Sequence, residues 1–402
     1  MRRIDLKKSQ VARASTMRDI NRLIVLNYIR DRAPLSRATL ARETLLQRST
    51  ISTIVEDLKS LGLIEEIGEG ESTGGRRPTL LGLRAAGVTA IGVDITPSAT
   101  SVAMSDLAGR VLARVELPRT VEREKLVQLI VEQVRQFRQW TGQGTIEGIG
   151  ISLPGLVDPD SGRAIYIPYF KWRDSPIAQE ISQATGLEVT IDNDANAAAL
   201  AALWFGHPEI SDARDFIMVL VTEGVGTGII FDGQIYRGER GAAGEFGHMI
   251  IGAGTDAPIP CSCGSRDCWE AFASGRAAVA RYTLKTQRGG GSRRHVDLGG
   301  VVDRALDGEE SAVEALTETA HYLGIGISNL IVGLSPEAVI VGGPIARAWP
   351  LVDDALTETI YRSIRRGLPS AQIVPSILGD QPTLIGAISL VLARKFALKN
   401  MA

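Results

Sequence analysis

Between residues 17 and 83 the apolar positions recur first at helical spacing and then at strand spacing. Leu23, Leu26 and Ile29, with Tyr28 beside them, give one helix an apolar face. Ser36, following Ala33-Pro34, is placed to cap a second short helix through Glu43. Ile51, Ile54, Val55 and Leu58 fall at i, i+3, i+4 and i+7, which predicts a third helix from about Arg48 to Ser60. Gly62-Leu63-Ile64 opens a strand, Gly68 to Gly75 reads as a turn-rich loop, and Leu80 to Leu83 returns as a strand. The pattern is a helix-turn-helix with a hairpin wing. Its third helix, once the apolar stripe is buried, turns Gln47, Arg48, Ser49, Thr50, Ser52 and Thr53 outward near its N-terminus. That end of such a helix enters the major groove, and these side chains hydrogen-bond base edges or phosphates. Arg76 and Arg77 fall at the wing tip, where guanidinium groups suit a narrow minor groove. Leu45 takes the turn position that favours glycine, and a left-handed leucine there costs about 1 kcal/mol.

From Val88 the pattern changes. Ala90 to Asp94, Ser101 to Met104 and Val111 to Leu117 predict a three-strand meander, followed by an amphipathic helix from about Glu122 to Thr141 and a buried strand at Ile149 to Ile151. Apolar strands at Phe216 to Val221, Gly228 to Phe231 and Ala338 to Val341 alternate with helical stretches, so the body is expected to be α/β. Lys285 to Arg294, with three consecutive glycines, reads as a flexible surface loop. The boundaries that follow are a DNA-binding unit over 1–84 and a body over 85–402.

Charge sharpens this division. Residues 1–84 hold 16 Lys and Arg against 10 Asp and Glu, while the rest holds 28 against 36. A basic head on an acidic body points to a polyanion partner for the head alone. The longest apolar stretch, around Tyr322 to Leu334, is too short and too interrupted to span a bilayer. Arg2, Arg3, Lys7, Lys8, Arg13 and Arg18 break up the N-terminus, so a signal peptide is not expected. A soluble, cytoplasmic chain with no membrane partner is the expectation. Its three cysteines all lie within eight residues, which argues against a disulfide framework. With His248 they give the spacing H-x12-C-x-C-x4-C: His248, Cys261, Cys263 and Cys268 would complete a tetrahedral Zn²⁺ shell with no position left for a catalytic water.

Leu35-Ser-Arg-Ala-Thr-Leu-Ala-Arg, Ser49-Thr-Ile-Ser, Leu61-Gly-Leu-Ile-Glu and Gly74-Gly-Arg-Arg-Pro closely resemble the DNA-binding domain of ROK-family repressors. Glu245-Phe-Gly-His248 and Cys261-Ser-Cys-Gly-Ser-Arg-Asp-Cys268-Trp-Glu270 resemble the family's signature, with Asp267 where a glycine is usual. The resemblance covers almost the whole chain from about residue 17. It implies a winged helix-turn-helix joined to a two-lobed actin/hexokinase-like, ribonuclease H-like α/β body, with a structural zinc. For the body the resemblance implies a small lobe at about 88–191 plus a C-terminal helix at 384–400, and a large lobe at about 192–383. It also implies a sugar site. Asn193 and Asp194 match the family's sugar-binding pair, and the Asp matches the general base of the sugar kinases. Glu245, His248 and Glu270 would contact hydroxyls at the anomeric end, and Pro154-Gly155 would form the loop over the pocket. Taken singly, Asp194 reads equally as a helix N-cap and Glu270 as a solvated helix residue.

Phosphoryl transfer is not expected. The kinases of the family open with Asp-x-Gly-Gly-Thr, and this chain has Asp94-Ile95-Thr96-Pro97-Ser98, in which Pro97 supplies no N–H to a phosphate. The second phosphate loop reads Thr222-Glu223-Gly224-Val225-Gly226-Thr227-Gly228, with a carboxylate beside where a polyphosphate would lie. Gly342-Gly343 resembles the adenosine-side motif and reads equally as a structural turn. The expected function is a non-enzymatic, sugar-responsive repressor of carbohydrate uptake and metabolism genes, acting as a homodimer or dimer of dimers on operator DNA. The alternative is a DNA-tethered sugar kinase with Asp194 as its base.

Overall fold

The computed structural model describes residues 14–71, 77–84, 88–141, 144–206, 210, 212–252, 256–265, 267–288, 296–364, 367 and 369–396. The head consists of α1 (Ala14–Arg32), β1 (Leu35–Ser36), α2 (Arg37–Thr44), α3 (Arg48–Ser60), β2 (Ile64–Glu69) and β3 (Thr79–Leu83). Ser36 caps α2 as expected, its Oγ accepting from the Thr39 N–H at 3.1 Å. Ser36 also belongs to a third strand that sequence periodicity missed: β1 pairs antiparallel with β3, Leu35 opposite Leu81. Two residues carry no period, so only the pairing reveals the strand. Leu45 sits at φ 60°, ψ 12° and is 90% exposed. The strain anticipated there is present, with no burial of its side chain to offset it.

The body holds two sheets of the same design. The first contains β4 (Val88–Ile95), β5 (Thr100–Asp106), β6 (Val111–Leu117), β7 (Thr145–Leu153) and β11 (Val189–Asn193), with α4 (Arg123–Trp140) and α5 (Ile177–Thr185) on the connections. Its strand order is β11-β7-β4-β5-β6, a meander extended by parallel strands. A small separate sheet is made of β8 (Leu156–Asp158), β9 (Arg163–Ile167) and β10 (Trp172–Ser175). After α6 (Asp194–Phe205) the arrangement repeats with β12 (Phe216–Val221), β13 (Val225–Phe231) and β14 (Gln234–Ile235). Then follow α7 (Trp269–Ala273), α8 (Gly275–Arg288), α9 (Leu298–Leu306), α10 (Glu310–Leu334), β15 (Ala338–Gly342), α11 (Trp349–Ser363), β16 (Gln372–Pro375) and α12 (Pro382–Phe396). The second sheet runs β14-β13-β12-β15-β16, again a meander with two parallel strands beyond its first member.

The long apolar strands of both sheets are buried along their whole length, as parallel strands covered on two faces must be. α12 crosses back to the first sheet, where Gly150 permits the approach: a Cβ there would lie 1.8 Å from the Ala387 carbonyl oxygen. On its other side α12 meets α6, and a Cβ on Gly386 would lie 2.3 Å from the Ala197 backbone. The two lobes therefore meet across α6 and α12, with the cleft above that crossing. The expected surface loop at Lys285 begins later than anticipated. α8 continues through Arg288, held by the Lys285–Glu314 ion pair at 2.8 Å, and residues 289–295 lie outside the described residues.

Candidate functional site

In the head, burial of Ile51, Ile54, Val55 and Leu58 turns the opposite face of α3 to solvent. Gln47, Arg48, Ser49, Ser52 and Thr53 are exposed and Thr50 is half-buried. Gln47 makes no side-chain cap, which leaves the first N–H groups of α3 free to face an anion. The basic side chains behind this face are neutralised: Arg37 pairs with Glu56 at 2.8 Å, and Lys59 with Glu66 at 2.8 Å. Arg48 makes no ion pair among the described residues. Arg77 is exposed beside Glu69 at 4.0 Å, and Arg76 lies outside the described residues.

The body cleft forms where the sheet ends meet. Asn193, expected as a sugar ligand, is the N-cap of α6: its Oδ1 accepts from the Ala195 and Asn196 N–H groups at 2.8 and 3.3 Å. Its Nδ2 donates to the Gly155 carbonyl at 3.0 Å, so one residue caps the helix and holds the Pro154-Gly155 loop. Gly155 is at φ +87°, and a Cβ would lie 2.6 Å from the Tyr166 carbonyl oxygen. Asp194, which sequence left open as a cap, is the first residue of the helix with its carboxylate facing the cleft. Burial, then the carboxylates of Asp94, Glu223 and Glu245, push its carboxyl up to about 7 against the Ala195 N–H that favours the charged form.

Glu245 and His248 sit on a 3-10 turn (Glu245–His248), and Glu270 on α7. Burial raises the Glu245 carboxyl, opposed by His248. Glu270 is buried and held on several sides. Its Oε1 accepts from Arg276 at 3.3 Å and Ser262 at 3.4 Å, and its Oε2 from the Val225 N–H at 3.4 Å. It is therefore not a solvated helix residue. The structure brings all of these together: Pro154, Gly155, Asn193, Asp194, Glu245, His248 and Glu270 line one cavity of about 120 Å³.

Two further residues of this cavity, Tyr169 and Thr383, had no sequence signal, and neither did Arg276, which braces its wall from behind. Tyr169 reaches it from the segment Pro168–Phe170, its hydroxyl pushed up to about 12 by burial. Thr383, at the start of α12, donates to the buried Asp94 Oδ2 at 2.7 Å. Burial drives the Asp94 carboxyl up to about 6 against that hydrogen bond. Arg276 clamps Glu270 and the Glu223 carbonyl oxygen. At the cleft mouth Thr96 and Pro97 face Thr222 and Glu223, and Ser98 donates to Glu223 Oε1 at 3.1 Å across the two lobes.

Beneath the cavity, ligand atoms of His248, Cys261, Cys263 and Cys268 lie within 4.8 Å of one another. Cys261 Sγ is 3.2 Å from His248 Nδ1, and Cys263 Sγ is 3.5 Å from Cys268 Sγ. This donor set fits a tetrahedral metal ion. His248 Nε2 points the other way, 3.6 Å from Glu245 Oε2, so one imidazole faces both the metal cluster and the cleft.

A two-lobed sugar-kinase-like body bearing a winged DNA-reading head is the class these features define. The ROK family model matches residues 90–394, and a MarR family model matches 16–77. The chain belongs to the ROK family. It is 32% identical to the xylose repressor of Caldicellulosiruptor bescii, over 94% of this chain and 96% of that one. A solved ROK family transcriptional regulator, a homologue of the E. coli MLC protein, superposes with a TM-score of 0.78 at 26% identity, covering 95% of this chain and 97% of the other. A ROK glucokinase from Streptomyces griseus, in complex with glucose and AMPPNP, superposes with a TM-score of 0.68 at 30% identity, covering 75% and 98%. The regulator match extends over the head as well as the body, and the glucokinase match spans three quarters of the chain. Among the described residues, no helix is long and apolar enough to cross a membrane.

Proposed function

We propose that the chain is a cytoplasmic repressor in which residues 1–84 read operator DNA and residues 85–402 bind an uncharged monosaccharide without phosphorylating it. The observation that carries this reading is the chemistry of the two ends of one cleft. At the inner end, the Asp194, Glu245 and Glu270 carboxylates converge on a small cavity, and carboxylates accept paired hydrogen bonds from adjacent sugar hydroxyls. At the mouth, the Glu223 carboxylate bonded to Ser98 stands opposite Pro97. The carboxylate repels a polyphosphate, and Pro97 offers it no N–H. No Lys or Arg lines the cavity among the described residues, and Arg276 behind it is engaged by Glu270 and the Glu223 carbonyl, so a phosphorylated sugar finds no free cation there.

Asn193 and the Pro154-Gly155 loop orient the acceptors rather than serving as the main ones. His248, Cys261, Cys263 and Cys268 hold a structural Zn²⁺. The ion supplies a rigid tether for the loop that carries Cys261 to Cys268, and the protein's part is to aim His248 Nε2 and Glu270 at the cleft. On DNA, Gln47, Arg48, Ser49, Thr50, Ser52 and Thr53 read or position in the major groove, and Arg76 and Arg77 reach from the wing. Two heads in a homodimer, or a dimer of dimers, engage an inverted repeat, because two-fold symmetry maps onto palindromic half-sites.

A second reading, a DNA-tethered sugar kinase, draws on the Asp194 carboxyl, which titrates near neutrality as a general base would. One experiment separates the two. An operator selected from random duplex DNA with the full chain is titrated with protein alone and with D-xylose, D-glucose or N-acetyl-D-glucosamine, and ADP release is followed with Mg-ATP. The repressor predicts operator binding that one sugar weakens, with no sugar-dependent ADP. Arg48→Ala should weaken operator binding about tenfold, the scale of a specific base contact. Turnover near 1 per second, an ordinary enzyme rate, would replace this reading with the kinase.

A further inference from the structure

The head rests on the body through a shared apolar core, and one of its side chains, Arg30, touches a helix of each lobe. Its core residues Val25, Leu26 and Ile29 form a continuous apolar cluster with Val88, Ala90, Leu384, Ile388, Val391 and Phe396, all on the first sheet or α12. Head and small lobe therefore share a core. The large lobe reaches the edge of this same cluster through Trp204 and Phe205 at the C-terminal end of α6. Arg30 of α1 is wedged there, its guanidinium carbon 4.2 Å from the ring centre of Trp204 on α6 and 5.1 Å from that of Phe396 on α12. The two rings themselves lie 5.6 Å apart. Asn27, one turn before Arg30, donates to the Phe396 carbonyl at 3.0 Å and fixes α1 to α12.

The same two helices begin in the cleft. α6 starts at Asp194 and α12 carries Thr383 near its start, and both line the cavity. At 1.5 Å per residue, about 15 Å separates Asp194 from Trp204 along α6 and about 20 Å separates Thr383 from Phe396 along α12. α6 belongs to the large lobe, where Ala195 packs on Gly226 and Gly228 of β13, whereas α12 lies on Gly92 and Gly150 of the small lobe. They cross at Ala197 and Gly386 without room for a Cβ. A change in the angle between the lobes pivots α6 against α12 at that crossing and changes the spacing of Trp204 and Phe396. Arg30 has no strong directional bond to either ring. Its Nε pairs with Asp31 on its own helix at 2.6 Å, and its Nη1 has no hydrogen-bond partner. Cation–π contacts depend on distance and face more than on a single angle, so the guanidinium follows whichever ring moves.

We propose that Arg30, seated between Trp204 and Phe396, is the positioning residue that converts lobe movement into head orientation, and so couples the cleft to operator binding. This rests on the repressor reading above. Arg30→Ala and Trp204→Leu are compared with wild type in the full chain. Sugar affinity comes from calorimetry with D-xylose, D-glucose and N-acetyl-D-glucosamine, and operator affinity is measured with and without the sugar that binds. Both variants should bind sugar and, without sugar, operator within about threefold of wild type, yet show less than a twofold loss of operator affinity on adding sugar where wild type loses tenfold or more. Arg30→Lys, which keeps a cation over the rings, should restore most of the response. A full sugar response in Arg30→Ala overturns the proposal. If wild type itself shows no response, the sensor reading fails and the joint is judged by hydrogen exchange. Arg30→Ala should then speed exchange in residues 25–32 and 201–205 while leaving 51–58 unchanged. Unchanged exchange at 25–32 and 201–205 overturns the joint on its own.

Discussion

The inner and outer ends of the body cleft are built from the same two sheets, yet their chemistry has diverged. At the inner end each acceptor is held by a rigid group: Asp194 by the first turn of α6, Glu270 by Arg276 and the Val225 N–H, Glu245 beside an imidazole that also faces the cysteines. At the outer end Pro97 faces Glu223, and the Ser98 hydroxyl bonds that carboxylate across the lobes. On the proposed reading the inner end is preorganised for hydroxyls and the outer end disfavours phosphate. That reading makes sugar recognition and phosphoryl transfer separable on this fold, because they would draw on residues from different turns.

The strongest test of the inner end removes its foundation. Cys263→Ser should reduce bound zinc from about one per chain to a small fraction, measured by metal analysis, and lower the melting temperature of the body, since metal binding to such sites is folding free energy. Protein prepared without chelators that holds no zinc contradicts the assignment. Asp194→Ala comes next. Losing a buried acceptor of two charge-assisted hydrogen bonds, each worth about 1.5 to 3 kcal/mol, should weaken sugar binding by roughly a hundredfold or more in calorimetry. Operator binding without sugar should stay unchanged.

A smaller effect follows from the Asp194 carboxyl at about 7. Sugar hydroxyls donate to its ionised form, so affinity should fall as pH drops through 7. The charged fraction goes from about nine tenths at pH 8 to about one tenth at pH 6, close to a tenfold loss. Asp194→Asn should flatten that profile, and a flat wild-type profile would assign the hydroxyls to another acceptor. At the outer end, Glu223→Gln should alter sugar affinity less than threefold and still yield no sugar-dependent ADP. A gain of turnover in that variant would show that one carboxylate alone blocks catalysis.

Much of this was legible in the sequence because it is periodic or locally spaced. The i, i+3, i+4, i+7 stripe of Ile51, Ile54, Val55 and Leu58 located α3, and the histidine–cysteine spacing located a cluster whose ligand atoms do converge. The family motifs picked out Asn193, Asp194, Glu245 and Glu270, which line one cavity, but did not show that Asn193 also caps α6 and grips Gly155. A cap depends on the φ and ψ of one residue, and adjacent Asn and Asp satisfy the same sequence rule. Tyr169 and Thr383 stayed hidden because each reaches the cleft from a segment distant in sequence, with no period to mark it. The duplicated sheet order was hidden for a related reason: it repeats in strand topology rather than in residues.

The central claim is that occupancy of the inner end is reported to DNA without chemistry at the outer end. The direct measurement is operator affinity of the full chain at saturating concentration of a sugar shown by calorimetry to bind, with Mg-ATP present and ADP monitored. Coupling between sites is typically about 1 to 3 kcal/mol, which corresponds to roughly 5- to 150-fold. The account predicts operator affinity weakened within that range, the same factor lost in sugar affinity when operator is bound, and no ADP. Equal operator affinity with and without the bound sugar would contradict it.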